Sequence, residues 1–252
     1  MFGLEIWAIA LALAVTLFAG FVKGAVGFAM PMIMMSAFGS FLPAETALAL
    51  LILPTLVTNL AQAFRQGWGP AWASTLKYRG HILMVMIFLV ISAQFVRAIP
   101  PGLMYGLLGF PVMGFALWQL AGRSLRFRLE HRRRAEIVLG IIGGLYGGIS
   151  GIWGPPLIIY LLSIGAEKTE QIRVQGVVFL IGSVVLTGAH LTSGVLNAQT
   201  LPVSALMVLP AVLGLWIGFA VQDRLDPARF RRWTLILLVF TGLNLVRRAL
   251  SV

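Results

Sequence analysis

Lys23 stands in the middle of an apolar stretch, in the segment Gly20-Phe-Val-Lys-Gly-Ala-Val-Gly-Phe-Ala-Met-Pro31, and its ammonium is the group that most needs a chemical reason. A charge at the centre of a membrane helix costs at least ~2.5 kcal/mol, so Lys23 either serves a ligand or snorkels to the membrane surface. The segment recurs with residue n falling on n + 124, as Gly144-Leu-Tyr-Gly-Gly-Ile-Ser-Gly-Ile-Trp-Gly-Pro155, with three glycines and a proline in register. Glycine permits unusual backbone angles and close approach, and proline fits the first turn of a new helix. Pro31 and Pro155-Pro156 therefore start half-helices, whose N-terminal N–H groups and dipoles suit an anion. The candidate substrate-binding residues are Lys23, Gly24, Gly27, Phe28 and Pro31 in the first break, and Gly148, Gly151, Trp153, Gly154 and Pro155 in the second. The spacings Gly20-x-x-x-Gly24 and Gly140-x-x-x-Gly144-x-x-x-Gly148 also suit close packing of membrane helices, and packing and binding can coexist. Position 147 holds glycine where the first copy has Lys23, which makes the pair of breaks asymmetric.

Few other polar residues fall inside apolar segments. Asn59 and Gln175 either donate to oxyanion oxygens or make interhelical hydrogen bonds worth ~0.6 to 2 kcal/mol. His190 reads as an interfacial histidine. Trp153, between Gly151 and Gly154, and Phe28, beside its own glycine, either wall the site or pack in the core. Trp68, Trp72, Trp118, Trp216 and Trp233 read as interfacial anchors. The carboxylates Glu5, Glu45, Glu130, Glu136, Glu167, Glu170, Asp223 and Asp226 all map to loops or helix ends, so none is a good midplane proton carrier. No carboxylate pair has the spacing for glycosidase-like chemistry, three scattered histidines make no zinc pattern, and there is no cysteine. No metal, cofactor or catalytic residue is expected. The absence of a nucleotide-binding motif argues against ATP drive within the chain.

These residues sit on elements dictated by composition. Of 252 residues, 59% are hydrophobic and 11% charged, against about a quarter charged in an ordinary globular domain. Apolar segments run over 4–22, 29–41, 45–65, 76–97 and 101–121, then 137–151, 155–164, 170–192, 200–221 and 228–249. Full-length runs of this kind match a hydrocarbon core at 1.5 Å rise per residue. The fold class is an all-α, polytopic helical membrane protein. The first twenty residues lack a basic n-region, having only Glu5, and read as the first helix rather than a signal peptide. The net charge of +11 lies in short loops beside apolar spans and reads as a topology signal, not as a nucleic-acid surface.

The densest basic cluster, Arg123, Arg126, Arg128, His131, Arg132, Arg133 and Arg134, is expected in the cytoplasm and divides the chain into a first repeat (1–121), a linker (122–136) and a second repeat (137–252). Walking outward from it puts 99–102 and 193–199 outside, and Arg65, Lys77, Arg79 and Arg224 to Arg232 inside. Each interrupted segment then returns to its own side as a re-entrant hairpin, followed by three transmembrane helices. The two repeats come out inverted, with their breaks meeting near the midplane. Arg97 and the Arg247-Arg248 pair run against this walk, unless the pair snorkels or reverses the last helix.

On the two glycine-proline segments, the length and the basic middle loop, the chain resembles the sulfite exporter TauE/SafE (TSUP) family. The resemblance implies a permease of the bacterial cytoplasmic membrane that moves sulfur-containing anions such as sulfite, sulfoacetate or related organosulfonates. Its partners are then a small anion, the lipid bilayer and, for uptake, a coupling proton or sodium ion. The leading expectation is a secondary transporter, an exporter, holding its anion between the two breaks. Alternatives are a passive anion channel, an uptake permease, an intramembrane or lipid-handling enzyme, and a structural subunit whose breaks serve packing alone.

Overall fold

The computed structural model describes residues 5–122, 132–221 and 226–251; Arg123, Arg126, Arg128, Glu130 and His131 of the expected linker, with Asp223 and Arg224, lie outside them. Among the described residues there are eleven α-helices and no strand: α1 (Ile6–Val26), α2 (Met30–Phe38), α3 (Ala44–Ala63), α4 (Trp68–Lys77), α5 (Arg79–Ala93), α6 (Pro101–Leu120), α7 (Arg132–Ser150), α8 (Gly154–Ser163), α9 (Lys168–Thr192), α10 (Thr200–Val221) and α11 (Pro227–Ser251). Six of them are long and apolar enough to cross a membrane, or up to seven if α4 and α5 form one bent span. The chain is a multi-pass helical membrane protein.

The two interrupted segments are helix pairs, α1–α2 and α7–α8, as the glycine-proline pattern requires. The duplication extends beyond them. α2 and α8 begin at Met30 and Gly154, and α3 and α9 at Ala44 and Lys168, so n + 124 still holds at the third helix of each copy. α2 and α8, of 9 and 10 residues, reach roughly 15 Å at 1.5 Å per residue, half the ~30 Å hydrocarbon core. The segment expected as one helix over 76–97 instead comprises α5 preceded by α4, bent by 78°. α4 carries the exposed Trp68 and Trp72. α7 begins at Arg132, five residues before its apolar run, because helix hydrogen bonding needs no apolar side chain.

Two compact units form, over Met1–Thr58, Arg97–Arg123 and Gly194–Val252, and over Asn59–Val96 and Ser124–Ser193. Each unit joins helices from both repeats. In the first, α1 packs along α10 and α6 along α11; in the second, α5 packs along α7 and α9, with α8 against α7. Arg97, an exception to the charge walk, pairs with Glu45 at 3.3 Å in the first unit. Arg248 lies over the Tyr105 ring, 4.5 Å from its centroid.

Candidate functional site

In the first unit, α1 ends at Gly27, whose φ of 85° lies in the left-handed region and whose N–H donates to the Lys23 carbonyl at 2.7 Å. Only glycine adopts that φ without strain, so Gly27 fixes where the helix stops. Lys23 therefore occupies the last turn of α1. It does not snorkel: it is 2% exposed, and its Nζ donates to Thr58 Oγ1 of α3 at 2.9 Å. Thr58 can accept because its own hydroxyl donates to the Pro54 carbonyl at 2.7 Å. Pro54 has no N–H to give to Leu50, and Ser204 of α10 compensates, its Oγ donating to the Leu50 carbonyl at 3.4 Å and accepting the Leu53 N–H at 3.2 Å. A proline inside α3 and a serine on α10 thus position the threonine that meets Lys23. One turn earlier the Thr55 hydroxyl is buried without a hydrogen-bond partner among the described residues.

Three residues beyond Gly27, α2 begins with Met30 and with Pro31 at its second position, and no side chain caps it. Met30 Sδ lies 3.7 Å from Thr58 Oγ1, which brings the start of α2 to the Lys23–Thr58 pair. The first-turn N–H groups of a helix have no intrahelical acceptor. A buried ammonium, two hydroxyls and the positive end of a short helix form a site with anion chemistry. Phe28 is buried beside it and Pro31 is half-buried.

The second unit uses the same backbone and different side chains. α7 stops at Gly151, φ 70°, whose N–H donates to the Gly147 carbonyl at 2.8 Å. Position 147 has no side chain, and Trp153 fills the space: a Cβ added to Gly147 would lie 3.1 Å from the indole, and one added to Gly182 of α9 2.7 Å from it. Phe179 meets the indole edge-on, centroids 6.2 Å apart. At n + 124, Lys23, Ala29, Thr55 and Thr58 of the first copy fall on Gly147, Trp153, Phe179 and Gly182 of the second. One break is a polar cradle and the other is filled by an aromatic pair. The residue in register with Trp153 is Ala29, and Phe28 matches Ile152. The Trp153 Nε1–H is buried and meets no acceptor among the described residues.

The other expected residues are placed as follows. Gly24 and Gly148 lie in helix seams, where an added Cβ would come within 2.3 Å of the Leu215 carbonyl oxygen and 2.1 Å of Ser92 Oγ. Asn59, in the second unit, donates from Nδ2 to the Phe179 carbonyl at 2.9 Å. Gln175 is buried on α9, one turn before Phe179; Gly154 and Pro155 are half-buried at the start of α8. His190 lies in the last turn of α9. It is fully buried, with Nε2 donating to the Gly148 carbonyl at 2.9 Å and Nδ1 accepting from Ser193 at 3.1 Å, because it braces the end of α7. Sequence reasoning also missed Thr55 and Thr58; comparing α3 with α9 at n + 124 reveals them as threonine and phenylalanine at one position, threonine and glycine at the other.

The family model described as sulfite exporter TauE/SafE matches residues 12–245, spanning both breaks. The chain belongs to the sulfite exporter TauE/SafE family. No curated protein and no solved structure matches it significantly. Membership makes this TauE/SafE chain a membrane transporter of the sulfite-exporter type, with a small anion as its substrate class. Among its described residues no group of His, Cys, Asp or Glu is arranged to hold a metal ion.

Proposed function

We propose that this TauE/SafE protein is a secondary transporter, working as an exporter in the bacterial cytoplasmic membrane, for small sulfur-containing oxyanions or organosulfonates such as sulfite or sulfoacetate. The anion binds at the first break, where Lys23 supplies the charge and is held by Thr58, Thr55 supplies a hydroxyl, and the start of α2 supplies backbone N–H groups. The observation that carries this reading is the fully buried Lys23 Nζ bonded to Thr58 beside an uncapped half-helix. Burial in a dry setting strengthens a charge-assisted contact to an oxyanion. Export of an anion runs down the inside-negative potential by about 2.3 kcal/mol per charge per 100 mV, so no ATP site is required. The second break, filled by Trp153 and Phe179, serves as the dry partner in the cycle. Purified protein in proteoliposomes is expected to show saturable sulfite uptake accelerated by sulfite or sulfoacetate on the opposite side. Flux without accelerated exchange would instead identify a passive anion channel, and turnover of a lipid-linked substrate would identify an enzyme.

A further inference from the structure

His190 has both ring nitrogens in hydrogen bonds, whereas His81 does not. His81 opens α5, is fully buried, and lies flat on Tyr160 of α8, with centroids 4.9 Å apart and planes 4° apart. Its Nδ1 is 3.2 Å from the Glu136 main-chain oxygen of α7. A carbonyl oxygen can only accept, so Nδ1 carries the hydrogen and Nε2 is left as a bare acceptor. That Nε2 is buried, and no described group donates to it. The Glu136 carboxylate is close by, because its Oε1 accepts the His81 main-chain N–H at 3.0 Å and lies where a Cβ on Gly80 would stand. A buried imidazole lone pair of this kind can accept a proton.

The charged and titratable groups around it come from every neighbouring helix. Lys77, Tyr78 and Arg79 precede it, Glu136 and Arg132 come from α7, Tyr160 from α8, and Glu170 and Arg173 from α9. Most are already engaged. Glu170 pairs with Lys77 and accepts the Tyr78 hydroxyl at 2.9 Å, and Arg173 donates to Ser74 at 2.8 Å. Glu136 is half-buried. His81 also touches both arms of the second broken hairpin, α7 through Glu136 and α8 through Tyr160. A positive charge arriving there would grip the Glu136 carboxylate and the Tyr160 ring face together.

We propose that His81, with its Nε2 lone pair open to a proton and its main-chain N–H and Nδ1 both held by Glu136, is a proton-binding site that couples proton movement to the anion cycle by clamping α7 to α8. The proposal rests on the transporter reading above. The step is a simple protonation: neutral imidazole takes one proton at Nε2, becomes imidazolium, and returns it later in the cycle, with no change of oxidation state.

The test uses the full chain in proteoliposomes with a pH dye in the lumen, and sulfoacetate or thiosulfate as probe, since neither titrates near neutrality. The wild type is expected to move protons when the probe is added and to respond to an imposed pH gradient. His81→Gln should lose both while retaining probe counterflow at equal pH on the two sides. Glu136→Gln, which leaves the histidine in place, should slow proton movement more than it slows counterflow. Wild-type counterflow with no proton movement, or proton coupling that survives His81→Gln, would overturn the proposal and leave the transporter reading standing. Absence of counterflow in the wild type for every probe would overturn the transporter reading itself, and His81 coupling with it.

Discussion

Ala29 holds a φ of 78° at the N-cap of α2, where every other described positive-φ residue is a glycine. A side chain there costs about 1 to 2 kcal/mol, and Ala29→Gly can relieve the strain only by loosening the unfolded chain, which costs part of that back. We expect Ala29→Gly to raise the melting temperature of purified protein slightly, by an amount equivalent to about 0.5 kcal/mol. A lowered melting temperature would mean that the alanine methyl packs against the break more usefully than its backbone is strained. The residue scale is also where the sequence was least transparent. Lys23 was visible because an ammonium in an apolar run is rare. Thr55 and Thr58 were not, because threonines in membrane helices commonly bond their own backbone, as Thr58 does to Pro54. His81 escaped notice because its partners come from α7 and α8, far away in sequence.

The helices follow the hydrophobic runs closely, since a segment that must satisfy its own backbone in lipid has no alternative to a helix. The two breaks were legible for the same reason: glycine and proline at fixed spacing have few other uses there. α4 was not legible, because Trp68-Gly-Pro-Ala-Trp72 sets glycine and proline between two tryptophans in the manner of a connection. The repeated glycines turn out to serve packing as well as any ligand. Gly20 and Gly24 set α1 against the main chain of α10, and Gly144 and Gly148 set α7 against that of α5. Since backbone cannot yield as a flexible side chain can, Gly24→Ala and Gly144→Ala should each destabilise the protein by about 1 to 3 kcal/mol. A Cβ at Gly143, 3.5 Å from Pro156, is in ordinary contact, so Gly143→Ala is the control. Equal thermal melts for Gly24→Ala, Gly144→Ala and Gly143→Ala would contradict this packing role.

At the scale of the whole molecule, a duplicated sequence has become two units that each borrow helices from both copies, and the copies have diverged at four matching positions around their breaks. On the proposed function, that divergence puts the anion at the Lys23 break rather than at both. Direct titration of sulfite and sulfoacetate into purified wild type, Lys23→Ala and Trp153→Phe tests this assignment most simply. A charge-assisted contact is worth about 2 kcal/mol, so Lys23→Ala should weaken binding about thirtyfold while the protein remains folded, and Trp153→Phe should leave affinity within about threefold. An unchanged affinity in Lys23→Ala, with binding lost in Trp153→Phe, would move the site to the second break and contradict the account.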